Sequence, residues 1–181
     1  MIGHLRGIST ISGLNVLVEH VLPRLTLELG AEGFEVHVVG DYEPPDVLRG
    51  SLEHPAVRLR GHVEPPDDEF LRADVLLVPT PIRTGPRVRI LAGFSFGCCV
   101  VAHSANRLGI PALAHGENAL LGESDHLAKL TLEALRDGAL RERLGAAGRR
   151  LYESRFTPEK AGGRIVEELQ RIARNRIGAP A

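Results

Sequence analysis

The stretch from Val75 to Ala102, VLLVPTPIRTGPRVRILAGFSFGCCVVA, decides the fold of this chain. Its pattern predicts an apolar strand, a loop rich in Gly, Pro and Arg, a helix that ends at Gly97, and a second apolar strand. In an open parallel sheet, ligands bind outside the carboxyl ends of the strands, and the loop falls there. Backbone N–H groups and the dipole of a helix start favour phosphate. The loop therefore holds four candidates for binding an anion: Thr84, Gly85, Arg87 and Arg89.

Outside this stretch, strand and helix patterns alternate up to Ser124, and helical patterns follow. A helix is expected over Leu14–Leu29, with Ser12-Gly13 at its start and a kink at Pro23. The other expected elements are strands at 34–40 and 57–61, helices at 42–52 and 65–73, one last strand or two extended pieces at 110–114 and 119–121, two short helices separated at Asp137-Gly138, and a final helix from Thr157-Pro158 to about Asn175. This order predicts an α/β fold with a doubly wound parallel sheet flanked by helices, and with helices at its C-terminal end.

Composition limits the class of protein. A chain of 181 residues with 43% hydrophobic residues predicts one domain, over residues 1–177, with a loose tail at 178–181. The net charge of −1 argues against a nucleic-acid partner, and no apolar run is long enough for a transmembrane segment. The two adjacent cysteines, Cys98 and Cys99, suit a reducing compartment and are interpreted as small buried thiols. A cytoplasmic protein is expected.

The deciding stretch also carries an ordered set of residues that follows a family pattern: Pro79, Thr84, Gly85, Arg87, Arg89, Ile90, Leu91, Gly97, Val100, Val101 and Ala102. Agreement continues on both sides, at Gly61-His62-Val63, Ala73-Asp74-Val75, Gly109-Ile110, Gly116 to Leu121 and Arg155-Phe156-Thr157. On these residues, nearly the whole chain resembles the nucleotide-sugar-binding half of GT-B glycosyltransferases, in particular the large retaining group often called family 4. The resemblance implies a Rossmann-like fold.

The resemblance also implies a function and a set of donor-binding residues. It implies transfer of a hexosyl group from a UDP- or GDP-sugar to a saccharide or lipid-linked acceptor, with no metal and no further cofactor. The diphosphate is expected near the first loop and the deciding loop, the base near the end of the second strand, the ribose near the middle of the deciding helix, and the sugar near two later loops. In chain order, the residues concerned are Gly3, Arg6, Ser12, Gly61, His62, Val63, Thr84, Gly85, Arg87, Arg89, Ala92, His103 and Glu117.

Two departures from the family pattern weaken the expected donor site. Many relatives carry two glutamates with seven residues between them, and the second hydrogen-bonds the ribose of the donor. Thr84 and Ala92 stand at those positions here. Losing one hydrogen bond to a charged group costs ~1.5–3 kcal/mol. In the first loop, Arg6 stands for the arginine that relatives use, but Ser12 replaces their lysine.

Several alternatives remain open at this level. Because Arg87 and Arg89 are two residues apart, they do not share a helix face, and only one is expected to face inward. Only Met1 and Ile2 precede Gly3, so the first strand is expected to be clipped, with an acceptor domain upstream or in another chain. The competing hypotheses are a degenerate domain that acts as a scaffold or partner subunit, another GT-B-like enzyme such as a sugar epimerase, and a general α/β ligand-binding domain.

Overall fold

The computed structural model describes residues 1–83 and 87–177, which form a layered α/β fold. Its strands are β1 (Val36–Val39), β2 (Val57–Gly61), β3 (Leu76–Val78), β4 (Val100–His103) and β5 (Leu120–Gly122). Its α-helices are α1 (Ile8–Val16), α2 (Leu22–Leu29), α3 (Asp46–Leu52), α4 (Asp67–Arg72), α5 (Val88–Ser95), α6 (Leu127–Arg136), α7 (Gly138–Arg155) and α8 (Pro158–Ile177). Short 3-10 helices follow β4 and β5, at Ser104–Leu108 and Ser124–His126.

All pairings between the described strands are parallel, as predicted. β1 pairs with β2 in one ladder, and β3, β4 and β5 pair in that order in another. The predicted single sheet is therefore divided into two ladders. On the side of β1 away from β2, the described residues make only an isolated bridge, from Ile2 to Val39. That bridge is also parallel, so the first residues begin a strand beside β1 and leave it at Gly3.

Helices cover both faces of the three-stranded sheet, which confirms the doubly wound arrangement. Leu77 and Val101 point into one apolar core, which also holds α1, α2 and α6 side chains such as Leu14. Leu76 and Val100 point into a second core, built around the fully buried Phe94. Successive residues of a strand face opposite sides of the sheet, so the apolar runs predicted as strands are buried on both sides.

The deciding stretch folds as its pattern predicts. β3, α5 and β4 follow one another, and Gly97 ends the helix with a positive φ of 72° that favours glycine. Gly93 lies inside α5, where a Cβ atom would come within 2.3 Å of a side-chain carbon of Leu76. The glycine thus allows α5 to approach β3 closely.

The first helix begins earlier than predicted. α1 starts at Ile8 instead of Leu14, and Ser12 lies inside it, where its hydroxyl donates to the carbonyl of Ser9 at 3.0 Å. Gly13 does not mark a helix start either, because it also lies inside α1, where a Cβ atom would be 3.1 Å from the Thr80 hydroxyl. A π-helical turn, Leu17–Val21, joins α1 to α2 and leaves Pro23 in the first turn of α2, where a proline is tolerated.

Two later elements also differ from the prediction. Residues 110–114 form turns instead of a strand, with the N–H of Leu113 bonded to the carbonyl of Ile110. The second of the two helices after Ser124 is 18 residues long instead of short, and two of its glycines allow close packing. A Cβ atom at Gly145 would come within 2.1 Å of the Gly97 carbonyl oxygen, and one at Gly148 within 2.4 Å of the Phe94 ring. The break at Asp137-Gly138 and the start of the last helix at Pro158 are confirmed.

Candidate functional site

The first loop crosses the carboxyl ends of both sheets and meets three chain segments there. Gly40, directly after β1, donates its N–H to the carbonyl of Gly61 at 2.9 Å, at the end of β2. A Cβ atom at Gly40 would lie 1.7 Å from the carbonyl oxygen of Gly3. On the other side, the Thr80 hydroxyl after β3 donates to the carbonyl of Ser9 at 3.0 Å. At Gly40 the backbone of the first loop is therefore too close to leave room for a side chain.

Arg89 brings a half-buried cation to this loop. Its guanidinium lies against Gly3, where a Cβ atom would come within 2.5–2.7 Å of three guanidinium atoms, and its Nη2 donates to the hydroxyl of Thr10. Burial, and next the nearby charge of Arg87, lower the pKa of Arg89 from its ordinary value. Gly3 has a φ of +155°, so glycine is favoured there both by the backbone and by the arginine above it. Gly3 and Arg89, which are 86 residues apart in the sequence, thus lie together and form one positively charged site.

Arg87 is buried on the other side of the same helix start, so the expectation that only one arginine faces inward is wrong. It is 7% exposed, donates from Nη2 to the carbonyl of Ile82 at 2.8 Å, and its aliphatic stem packs against Gly109. Helix-face geometry does not separate the two arginines because Arg87 is the N-cap residue, outside the helical turns of α5. Burial lowers its pKa.

The start of α1 presents backbone N–H groups to the same region. Its N-cap is Gly7, which supplies no capping side chain, and its first turn holds no acidic residue. Arg6 is exposed just before it, with its guanidinium 5.8 Å from the centre of the Tyr42 ring. The expected role of Ser12 at the helix start is contradicted, because Ser12 lies in the second turn and bonds within α1.

An exposed group of charges lies at the carboxyl end of the two-stranded sheet. The His62 ring is 2.5 Å from a carboxylate oxygen of Asp41, which follows β1, and 3.2 Å from one of Glu64. These hydrogen bonds, the Glu64 bond first, raise the pKa of His62. Gly61 has a φ of +66° and turns the chain toward His62, and Val63 follows half-buried. The predicted base-binding segment is therefore open to solvent.

A second histidine, at the carboxyl end of β4, is buried. The Nδ1 atom of His103 accepts the N–H of Ala105 at 3.1 Å, so Nε2 carries the proton and faces Glu123 at 3.3 Å. The hydroxyl of Ser104 donates to the other oxygen of Glu123. Burial is the main cause that lowers the pKa of His103, against the raising effect of Glu123. His103 is thus held neutral, as a hydrogen-bond donor.

Asn106 is a buried polar residue beside the candidate site that the sequence pattern did not single out. It is fully buried, and its amide nitrogen donates to the carbonyl of His103 at 2.8 Å and to that of Thr80 at 3.3 Å. It therefore fixes the ends of β4 and β3 relative to each other. The side-chain oxygen has no hydrogen-bond partner among the described residues. The sequence does show a polar residue three positions after the end of β4. Only the fold shows that this side chain also hydrogen-bonds the chain at the end of β3.

Other predicted site residues divide into three groups. Glu117 does not join the site: it lies in the exposed turn before β5, whereas His103 ends the parallel strand β4, so the two stand toward opposite ends of the sheet. The sequence prediction placed Glu117 and His103 in neighbouring loops. It did not allow for the chain returning to the amino end of the sheet before it reaches Glu117 and β5. Ala92 lies half-buried in the second turn of α5. Thr84 and Gly85 lie outside the described residues.

Neither a metal cluster nor a reactive thiol is found in the part of the chain that the structure describes. Residues 1–83 and 87–177 hold no group of three or more His, Cys, Asp or Glu side chains that could bind a metal ion. Cys98 and Cys99 are free and buried, and burial raises the pKa of each to about 11. Both thiols are therefore protonated at neutral pH, as the interpretation as structural residues requires. None of the described helices is long and apolar enough to cross a membrane.

Solved structures with this architecture include glycosyltransferases of the GT-B class. A glycosyltransferase from Rickettsia africae ESF-5 superposes with a TM-score of 0.78 at 14% identity, over 97% of this chain and 47% of that one. Anabaena Alr3699/HepE in complex with UDP gives 0.74 at 18% identity, over 94% and 48%. A TarM variant from S. aureus, in a complex that includes UDP, gives 0.76 at 14% identity, over 92% and 34%. The chain thus spans less than half of each of these three proteins.

The sequence also defines the family. Residues 1–137 match the family described as Glycosyl transferases group 1, and the chain belongs to it. No curated protein matches the chain. The resemblance inferred from the Thr-Gly-x-Arg stretch is therefore confirmed at the level of family and fold.

Proposed function

We propose that residues 1–177 form the donor-binding domain of a hexosyltransferase that uses a UDP- or GDP-sugar. One observation carries the proposal: Arg89 holds a half-buried positive charge against Gly3, beside the start of α1. An arginine, free backbone N–H groups and a helix dipole are the groups that bind a diphosphate without a metal. Solved relatives in complex with UDP have the same fold, which supports a uridine nucleotide as the first candidate.

In this proposal, the domain positions the donor and stabilises the leaving diphosphate. Arg89 and the first turn of α1 face the two phosphates, so that negative charge developing on the leaving group is met by donors already in place. The base lies near Gly61, His62 and Val63, the ribose near Ala92, and the transferred sugar near His103. The neutral His103 would donate from Nε2 to a sugar hydroxyl in exchange for Glu123.

Transfer also requires an acceptor site, which we place in a separate domain or chain. The chain spans 34–48% of the solved proteins named above, so room for a second domain exists in proteins of this architecture. Helix α8 carries an exposed apolar stripe formed by Ile165, Val166, Leu169 and Ile172, which supports contact with such a partner. The acceptor is a saccharide or a lipid-linked saccharide in this proposal, and the compartment is the cytoplasm.

Calorimetric titration with UDP, GDP and ADP tests the proposal. We expect saturable binding of one nucleotide, and Arg89→Met should weaken it by about one to two decades, because a charged hydrogen bond to phosphate is lost. Arg150→Met is the matched control, since Arg150 is exposed on α7, away from the first loop. Equal binding by the Arg89→Met protein, shown to be folded by circular dichroism, would contradict the proposed site.

A second candidate function, a degenerate domain without donor binding, is favoured by Ala92. This residue leaves no acceptor oxygen at the expected ribose position, and Arg89 is already hydrogen-bonded to Thr10. The substitution Ala92→Glu separates the two hypotheses. If the site is only weakened, Ala92→Glu should strengthen nucleotide binding by about one to two decades. If the domain is degenerate, neither the native chain nor the Ala92→Glu protein binds at millimolar nucleotide.

A further inference from the structure

Tyr42, three residues after the end of β1, has an unusual backbone conformation for a tyrosine. Its φ of +69° lies in the left-handed region, and none of the other non-glycine residues in the described part of the chain has a positive φ. Glycine or asparagine adopts this conformation at a lower free-energy cost than tyrosine does. Burial does not offset that cost, because Tyr42 is 61% exposed. Strained residues concentrate at functional sites, so the question is what the exposed ring can bind.

The ring of Tyr42 lies between the places assigned above to the two ends of a nucleotide. Asp41, the preceding residue, accepts the N–H of Leu5 in the first loop at 3.2 Å and lies 2.5 Å from the His62 ring. On the first-loop side, Arg89 supplies the charge proposed to bind the diphosphate. On the other side, His62 belongs to the segment proposed to lie near the base. A single ribose joins base and diphosphate, so a base bound here stays close to the first loop.

Two side chains of the first loop flank the ring of Tyr42. The centroid of the His4 ring is 4.8 Å from that of Tyr42, with the planes tilted by 48°, so His4 does not cover the ring as a parallel stack would. The guanidinium of Arg6 lies over the ring, with its Cζ 5.8 Å from the centroid. Among the described residues, this exposed guanidinium has no hydrogen-bond or ion-pair partner. Since two stacked contacts need about 7 Å in total, a shift of Arg6 by about 1 Å makes a slot for one planar ring.

We propose that the base of the donor nucleotide stacks on the Tyr42 ring and is covered by the guanidinium of Arg6. This inference rests on the proposed function and gives both side chains a role in it. Every base has a π-face, so the slot accepts uracil and guanine alike, and it leaves their discrimination to hydrogen bonds from the neighbouring segment. The guanidinium is attracted to the other face of the base. Arg6 therefore serves the base, whereas Arg89 serves the diphosphate.

Titration with UDP, GDP and pyrophosphate tests the proposal by calorimetry. Tyr42→Asn removes the ring but tolerates the left-handed backbone, so its melting temperature should equal or exceed that of the native chain. It should nevertheless bind UDP and GDP about tenfold to a hundredfold more weakly, because the stacked contact is lost. Its affinity for pyrophosphate, which has no base, should stay the same. Tyr42→Phe keeps the ring and is the matched control, which should bind all three ligands as the native chain does.

Tyrosine fluorescence reports on the stack directly. The chain contains two tyrosines and no tryptophan, so Tyr152→Phe leaves Tyr42 as the only tyrosine. In the Tyr152→Phe protein, UDP and GDP should quench the emission in a saturable way, with the dissociation constants that calorimetry gives. Pyrophosphate should bind without quenching, because it places no ring against Tyr42.

The outcomes separate this inference from the function on which it rests. Nucleotide binding that is weakened in Arg89→Met but unchanged in Tyr42→Asn would overturn the stacking role and leave the donor site in place. If Tyr42→Asn weakened pyrophosphate as much as UDP, the stacking role would also be overturned, because Tyr42 would then act on the diphosphate through Arg6. If the folded native chain bound neither pyrophosphate nor a nucleotide at millimolar concentration, the proposed function would fail, and this inference with it.

Discussion

The carboxyl ends of the two sheets are built in opposite ways. At the three-stranded sheet, the buried Asn106 hydrogen-bonds the ends of β3 and β4, and His103 is buried and neutral. At the two-stranded sheet, His62 stands in solvent with a side chain 63% exposed, between two carboxylates that raise its pKa. One end is held by buried hydrogen bonds, and the other by exposed charges.

Under the proposed function, this difference suits the two ends to different tasks. A buried hydrogen-bond network keeps its geometry because leaving any of its groups unpaired is costly, whereas exposed ion pairs contribute little and rearrange easily. The end of the three-stranded sheet therefore suits a group that must be positioned accurately, such as the transferred sugar. The end of the two-stranded sheet suits a group that is only held, such as the base. Gly40 and Gly3 lie between them, where the first loop is packed.

The largest effect is expected where the two ends meet. Gly40→Ala places a Cβ atom against the Gly3 carbonyl, which is backbone and cannot turn aside, so we expect a loss of about 3 kcal/mol in the free energy of unfolding. Gly50→Ala is the matched control, because open space surrounds Gly50 in α3. It should stabilise the protein by roughly 0.5–1 kcal/mol. Urea unfolding measures both, and similar values for the two variants would contradict the close packing of the first loop.

The next effect tests the buried end alone. Asn106→Ala leaves the carbonyls of His103 and Thr80 without their donor, and should lower the free energy of unfolding by about 2 kcal/mol. Asn15→Ala, at a half-buried position in α1, should change it by less than about 0.5 kcal/mol. His62→Gln, at the exposed end, is expected to fall in the same small range. If Asn106→Ala were as mild as Asn15→Ala, the contrast between the two ends would fail.

The smallest effect is a pair of opposite pH dependences. The raised pKa of His62 means that its contribution to stability is complete below pH 6.5 and is lost as the pH rises through the folded pKa. The lowered pKa of His103 means that its contribution is complete above pH 6.5 and is lost as the pH falls through the folded pKa. NMR titration of the histidine ring protons should give midpoints on opposite sides of 6.5. If both midpoints lay on the same side of pH 6.5, the pKa values of His62 and His103 would not be shifted in opposite directions, and the contrast between the two ends would fail.

Local patterns predicted most of the fold. Apolar runs located β3 and β4, and the Gly97 stop and the Thr157-Pro158 start follow rules of helix ends that act within a few residues. The prediction placed the start of α1 too late because it took Ser12-Gly13 as a helix start, whereas both residues lie inside the helix.

The candidate site was predicted only in part, because its contacts join distant segments. Arg89 was identified from its loop, but its position on Gly3 depends on a contact between the first loop and the first turn of α5. The partners of the two histidines, Asp41 and Glu123, were missed for the same reason. Glu117 was assigned to the site by its place in a family pattern. The parallel register of β4 and β5 shows that Glu117 precedes β5, toward the amino end of the sheet.

Mapping nucleotide binding by amide chemical shifts tests the central claim, that the donor binds at the carboxyl ends of the two sheets. Glycine amides are convenient probes because glycines lie at both ends of the sheets. On titration with UDP, the amides of Gly3, Gly7 and Gly61 should shift in a saturable way, while those of Gly116 and Gly138 stay in place. Shifts confined to Gly116 and Gly138, or no shift at any of the five in the folded protein at millimolar UDP and GDP, would contradict the account.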